Sequence, residues 1–196
     1  MIEQEAWGLL TKSQFNQYLA QFTKKFGKSK HQKRLSFSFW DHRYNEIDTR
    51  IRITNGKAEI VQKIGQWENV TQWERMERIV KLPRDAQQIF NAFKIFRQLL
   101  PASESCNIMQ YDNYLFLQTN FEIKLTHQYG KTSKYNIELE TLDNKIDMVS
   151  ILEELGLSKL VTVTDVEFWD NWNKELNLND RDLTEEHILE LIQKYI

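Results

Sequence analysis

Two periodicities alternate along the chain. Over residues 34–40, Leu35, Phe37 and Phe39 alternate with Arg34, Ser36 and Ser38, the period of two of a half-buried strand. Residues 47–53 set Ile47, Ile51 and Ile53 against Asp48, Arg50 and Arg52, and Asn55-Gly56 then marks a tight hairpin turn into a partner strand at 58–64. The pattern predicts further strands at 74–80, 114–118, 121–128 and 133–140, and a short N-terminal one with Glu3 and Glu5 on one face. Helical spacing appears over 13–26, where Phe15, Tyr18, Leu19, Phe22 and Phe26 form one stripe. It returns over 85–100, stopped by Pro101, and over 146–155, ended by Gly156. A last helix over 184–196 opens at Thr184, with Leu183 and Ile188 spaced as a hydrophobic staple. The acidic, Trp-containing stretch 157–183 reads as a peripheral extension.

The faces opposite the apolar ones carry the information. They hold Glu3 and Glu5, Asp48 with Arg50 and Arg52, Glu59 with Lys63, Arg75 with Glu77, Glu122 with Lys124, and Glu138 with Glu140. About seven or eight such strands, with apolar-striped helices to cover one face, predict an α+β protein: a closed antiparallel β-barrel, helices outside and charge within. Carboxylates beside guanidinium and ammonium groups suit a polyanion with a divalent cation, because arginine and lysine neutralise phosphate oxygens and paired acids supply hard oxygen ligands. The plainer alternative is a solvated face of cross-strand pairs, Arg50 and Arg52 with Glu59 and Glu77, and Glu138 and Glu140 with Lys124 or Lys134. Periodicity cannot separate the two.

Composition narrows the classes. The chain has 196 residues, with 26 Lys and Arg against 28 Asp and Glu, a balance unlike that of a general nucleic-acid coat. Hydrophobic residues make up 41%, enough for a substantial core, and the scarcity of Gly (6) and Pro (2) excludes low-complexity classes. The single Cys106 excludes an internal disulfide and reads as a small buried apolar residue. His31, His42, His127 and His187 lack metal-ligand spacing with one another. Trp67, Trp73, Trp169 and Trp172 read as packing residues. The run Lys24, Lys25, Lys28, Lys30, Lys33, Arg34 reads as a solvated helix end and loop, with an RNA-facing patch as the minority reading. No membrane span or signal peptide is apparent, so the expected location is cytoplasmic.

Five short elements in order carry a family resemblance: Glu3-Gln4-Glu5, Thr49-Arg50-Ile51-Arg52, Lys63-Ile64-Gly65, Arg75-Met76-Glu77 and Ile137-Glu138-Leu139-Glu140. Over about residues 2–160 the chain resembles the CYTH superfamily, the triphosphate tunnel metalloenzymes. That superfamily includes tripolyphosphatases, thiamine triphosphatases, RNA 5′-triphosphatases and class IV adenylyl cyclases. The resemblance implies an eight-stranded antiparallel tunnel over 1–160, with 161–196 as a helical extension packed on the same domain. It implies Mg2+ or Mn2+ held by Glu3, Glu5, Glu138 and Glu140. Phosphates would be held by Arg50, Arg52, Lys63 and Arg75, with Lys124 as a replacement contact. Glu5, Arg75 and Glu77 would carry the catalytic step, Glu77 orienting Arg75 or helping to hold metal. Three departures stand out. Trp7 occupies the position of the family's opening lysine. Residues Cys106 to Tyr111 bring no cation. Lys124 and Thr126 lie where a late aspartate is usual.

The expected function is a metal-dependent phosphohydrolase acting on inorganic tripolyphosphate or a nucleoside triphosphate, with metal-ordered water as nucleophile. A non-catalytic module binding a phosphorylated ligand is the alternative that the Trp7 departure motivates, and a class IV adenylyl cyclase is a third. The expected partner is a small triphosphate, with nucleic acid entering only as a 5′-triphosphate RNA end and no membrane involved. The sequence leaves the oligomeric state open.

Overall fold

The computed structural model describes residues 2–40, 47–65, 73–141, 147–162 and 165–196; at residues 2, 3, 73–75 and 166 it describes the backbone. Among the described residues, nine strands and five helices follow in the order β1 (Ile2–Leu10), α1 (Lys12–Phe26), β2 (Lys30–Ser38), β3 (Ile47–Thr54), β4 (Lys57–Ile64), β5 (Trp73–Lys81), α2 (Ala86–Leu99), β6 (Asn107–Leu117), β7 (Phe121–Tyr129), β8 (Ser133–Thr141), α3 (Met148–Glu154), α4 (Val166–Leu176), β9 (Leu178–Asn179) and α5 (Glu185–Tyr195). The fold is α+β, as the two periodicities predict.

All strand pairings are antiparallel, in the spatial order β2-β3-β4-β5-β1-β8-β7-β6-β9. The sheet curls strongly, and β2 also pairs with β6, from Lys30 opposite Leu115 to Ser38 opposite Asn107. The Asn55-Gly56 turn forms as its sequence demands: both residues take positive φ, 47° and 79°, in the two-residue turn that joins β3 to β4. β1 reaches Leu10, well beyond a short strand, and β6 begins at Asn107 rather than at residue 114.

Helix ends follow their capping residues. Thr11 and Gln14 form a reciprocal capping box at the start of α1, Thr11 N donating to Gln14 Oε1 at 2.8 Å and Gln14 N to Thr11 Oγ1 at 3.2 Å. Asp85 caps α2 and Thr184 caps α5, where Leu183 and Ile188 join one cluster as the staple spacing predicts.

The helices cover the convex face in two places. α2 and α5 pack on β2 and β3 through Ile89, Phe93, Ile188 and Ile192 against Phe37 and Ile51. α1 and α3 pack on β1 and β6–β8 through Phe15, Phe22 and Leu152 against Ile123, Leu125 and Leu139. Full burial of one such side chain contributes about 1.5–3 kcal/mol. On the convex face of β5, Met76 and Val80, which alternation places on a core face, are 47% and 60% exposed, and among the described residues no helix covers them. Residues 157–183 are not merely peripheral. They include α4, whose Trp172 and Leu176 are buried against Trp7 of β1.

Candidate active site

Inward-pointing side chains line a cavity of about 350 Å3 within the curl of the sheet. Its acidic part comes from two adjoining strands. Glu5 lies opposite Glu140, and Trp7 opposite Glu138, so the period of two along β1 and β8 brings three carboxylates to one place. Ligand atoms of Glu5, Glu138 and Glu140 all lie within 4.8 Å of one another, and Glu5 is only 2% exposed.

Cations from four strands surround them. Lys63 of β4 donates to Glu5 Oε1 at 2.7 Å, and Lys124 of β7 bonds Glu138. Arg52 donates from Nε to Glu59 Oε1 at 2.7 Å and stands 3.6 Å from Glu77 Oε1. Arg50 donates from Nε to Asp48 Oδ1 at 3.0 Å. Burial opposes the Arg50 charge, but Asp48, Tyr111 and Glu5 together outweigh it and hold the guanidinium above its ordinary value. Arg34 of β2 lines the same cavity, with Nε donating to Thr54 Oγ1 at 3.0 Å. Burial, then the neighbouring Arg52 and Arg50, push Arg34 down to about 10. Burial likewise raises the Glu122 carboxyl despite Lys124 beside it, and raises the Tyr111 phenol.

The structure thus brings together Glu5, Glu138, Glu140, Arg50, Arg52, Lys63, Glu77 and Lys124 around one cavity. The expected cross-strand pairs also form, Arg52 with Glu59 and Glu77 and Lys124 with Glu138, but inside the curl rather than on a solvated face. Lys134 turns instead to Glu175 at 2.7 Å. The backbones of Glu3 and Arg75 lie opposite each other across β1 and β5, while their side chains lie outside the described residues. Trp67 and His42 also lie outside them, as does the side chain of Trp73.

Arg34, Glu122 and Tyr111 line the cavity beside the expected site residues. Arg34 belongs to β2, not to a solvated basic loop, and stands opposite Tyr111 of β6. It brings to that wall the cation that residues 106–111 lack. The signal was its alternation with Ser36 and Ser38. Glu122 and Tyr111 are the others, Glu122 facing Glu140 across β7 and β8.

Trp7 fills its lysine-equivalent position with an aromatic cluster. Its ring lies 5.7, 5.3 and 5.5 Å from Phe168, Trp169 and Trp172 of α4. Trp172 is 4% exposed, a packing residue as expected, whereas Trp169 is half-buried.

The donor set at Glu5, Glu138 and Glu140 consists of carboxylate oxygens alone, which fits a hard divalent cation such as Mg2+ or Mn2+.

No protein-family model matches the sequence, and no curated protein does. Solved structures do match. A protein from Pyrococcus horikoshii OT3 aligns with a TM-score of 0.64 at 15% identity, covering 85% of this chain and 98% of that one. A candidate adenylate cyclase from Bacillus halodurans aligns at 0.55 and 16% identity, over 83% of this chain and 94% of its own. A candidate adenylyl cyclase from Hippeastrum, whose dominant activity is that of a triphosphatase, aligns at 0.53 and 18% identity, over 80% and 88%. This is the CYTH fold. A CYTH-type sheet directs alternate residues of every strand inward, which is why charges far apart in sequence share one cavity here.

Proposed function

We propose that the chain is a divergent CYTH protein that binds a triphosphate in its cavity and hydrolyses it with Mg2+ or Mn2+. The observation that carries the reading is the meeting of three carboxylates within 4.8 Å, ringed by Arg34, Arg50, Arg52, Lys63 and Lys124. The triphosphatase activity of the Hippeastrum protein supports it. The β2–β6 ladder supports closure of the sheet into a tunnel over residues 1–160, with 161–196 a helical extension packed on it.

In this reading Glu5, Glu138 and Glu140 hold the cation, with Glu3 as a further candidate. When bound, the cation neutralises charge on the terminal phosphoryl group and lowers the pKa of a water nucleophile. Arg50, Arg52, Lys63, Lys124 and Arg75 hold the phosphate chain, and Arg34 joins them. Glu77 orients guanidinium groups, Arg52 at 3.6 Å among them. Water adds to the terminal phosphorus and the bond to the bridging oxygen breaks, while the guanidinium groups spread the charge passed to the leaving group. The partner is a small triphosphate or the 5′-triphosphate end of an RNA, and the location is cytoplasmic. Among the described residues no helix is long and apolar enough to cross a membrane.

A second reading is a non-catalytic binder. The Lys63–Glu5 and Lys124–Glu138 pairs favour it, because each ties a metal-holding candidate to a phosphate-holding one. Phosphate release from tripolyphosphate and ATP separates the two readings, measured with Mg2+ or Mn2+, with EDTA, and for Glu5→Gln. Release that EDTA and Glu5→Gln abolish is the expected result. No release, with tripolyphosphate still raising Tm, establishes the binder; neither release nor a thermal shift overturns the triphosphate site.

A further inference from the structure

Charged groups occupy one part of the cavity, and a different chemistry occupies the rest. Register gives the order: two residues beyond the Glu138–Lys124 pair come Asn136 of β8 and Thr126 of β7, opposite each other, with Gln128 further on. Thr126 Oγ1 donates to Asn113 Oδ1 of β6 at 2.9 Å. These four residues line the cavity, are each 4% exposed or less, and carry no ionised group. The wall therefore changes from charge to amide and hydroxyl toward α4.

Helix α4 completes this end. Trp169 and Asn173 line the cavity with Trp7 and with Trp40, which follows β2. Two contacts fix the helix there: Lys131 N donates to Leu176 O at 2.8 Å, and the Trp7 ring meets Trp169 at 5.3 Å. An amide relay runs from Gln128 Nε2 to Asn177 Oδ1 and from Asn177 Nδ2 to Asn173 Oδ1, both at 2.7 Å. The relay uses one donor of Gln128 and one acceptor site of Asn173, so each amide keeps its complementary group for a ligand.

A phosphate chain has little use for this wall. Its oxygens carry charge that calls for cations, which this end lacks among the described residues, and the amides of the wall offer acceptors as well as donors beside an indole face that a phosphate cannot use. A planar heteroaromatic ring uses both components, stacking on indole and pairing its donor and acceptor edge with amides. We infer that the α4 end of the cavity is a head-group subsite, and that the ligand is a nucleoside triphosphate rather than an inorganic phosphate chain. The inference rests on the triphosphate reading of the charged part and adds the substrate class.

Calorimetric titration of the full chain with MgCl2 tests it, using tripolyphosphate and then ATP, GTP, CTP and UTP. At least one nucleotide is expected to bind about tenfold or more tightly than tripolyphosphate. Trp169→Leu keeps the position apolar and removes the indole face, so it should erase that margin while moving the tripolyphosphate Kd by less than about twofold. Asn173→Ala, made beside it in case the indole change unfolds α4, should shrink the margin in the same direction. Tripolyphosphate binding as tightly as every nucleotide overturns the head-group subsite and leaves the triphosphate reading standing. So does a margin that survives both folded variants. Absence of all binding overturns both readings.

Discussion

Lys63 Nζ donates to Glu5 Oε1 across 2.7 Å, so a candidate phosphate ligand grips a candidate metal ligand. The carboxylate is almost fully buried and the lysine side chain is 16% exposed. Removing the ammonium leaves Glu5 near Glu138 and Glu140 without that cation, which costs about 3 kcal/mol when a buried pair is broken from one side. Lys63→Met should therefore lower Tm in EDTA. A divalent cation would take over the neutralisation, so millimolar Mg2+ or Mn2+ should raise the Tm of the variant more than that of the wild type. Melting curves with and without metal decide this; equal shifts in the two proteins count against a cation at Glu5.

Arg34 has the opposite electrostatic standing. Burial and the nearby Arg52 and Arg50 work against its charge, and its Nε donates to the neutral hydroxyl of Thr54. A cation held against its own solvation is costly unless an anion arrives. Arg34→Gln should raise the Tm of the ligand-free protein by relieving that cost, about 1 kcal/mol in scale. The same change should weaken tripolyphosphate binding by about tenfold, the loss of one charge-assisted contact. A variant that is less stable and binds unchanged would make Arg34 a structural residue instead.

Arg34 also shows where the sequence was legible and where it was not. The strand faces were readable because a sheet with one buried face imposes a period of two, and Asn55-Gly56 fixed the register of β3 and β4 through backbone conformation alone. The same alternation placed Glu5, Glu138, Glu140, Arg52 and Lys63 opposite the apolar faces, and the curl of the sheet is what turns that side inward. What alternation cannot tell is which strand stands beside which: Arg34 faces Tyr111 only because β2 lies next to β6, a pairing with no local signature. The first half of β6 was obscured because Ile108, Met109 and Gln110 are buried in succession, on both faces of the strand. Helix α4 was obscured for a related reason. The apolar partner of Trp169 and Trp172 is Trp7, over 150 residues away, at a position where the cavity is aromatic rather than charged.

The seat of α4 depends on a glycine. A Cβ on Gly130, in the turn between β7 and β8, would lie 2.4 Å from the backbone oxygen of Leu176, the atom that accepts from Lys131 N. Backbone cannot rotate away as a side chain can, so Gly130→Ala must displace the end of α4 or the turn. The expected cost is about 1–3 kcal/mol, in the range of overpacked sites. Denaturant unfolding should show a lower midpoint with an unchanged m-value. An unchanged midpoint would mean that α4 is not held against this turn.

Cys106 gives a clean probe of the interior because it is the only thiol in the chain. It is fully buried, with its backbone N–H donating to Asp180 Oδ1 at 2.7 Å. Burial pushes the thiol well above its ordinary value, Asp180 pushes the same way, and Arg97 opposes them. In the unfolded chain the thiol ionises near its ordinary pKa of about 8.5, while in the folded protein it keeps its proton. The native state then binds more protons than the unfolded state, so this group's contribution to stability is full below about pH 8.5 and falls as pH rises beyond it. At pH 10 the loss amounts to about 2 kcal/mol, from 1.36 kcal/mol per pH unit. Cys106→Val should flatten the decline in stability between pH 8 and 10 relative to the wild type, and comparison of the two proteins cancels the lysines and tyrosines that titrate in the same range. An aromatic disulfide reagent should also label the native thiol only as fast as the protein opens. Rapid labelling at pH 8, or parallel stability curves for the two proteins, would place Cys106 at an accessible surface rather than in the packed layer under α2.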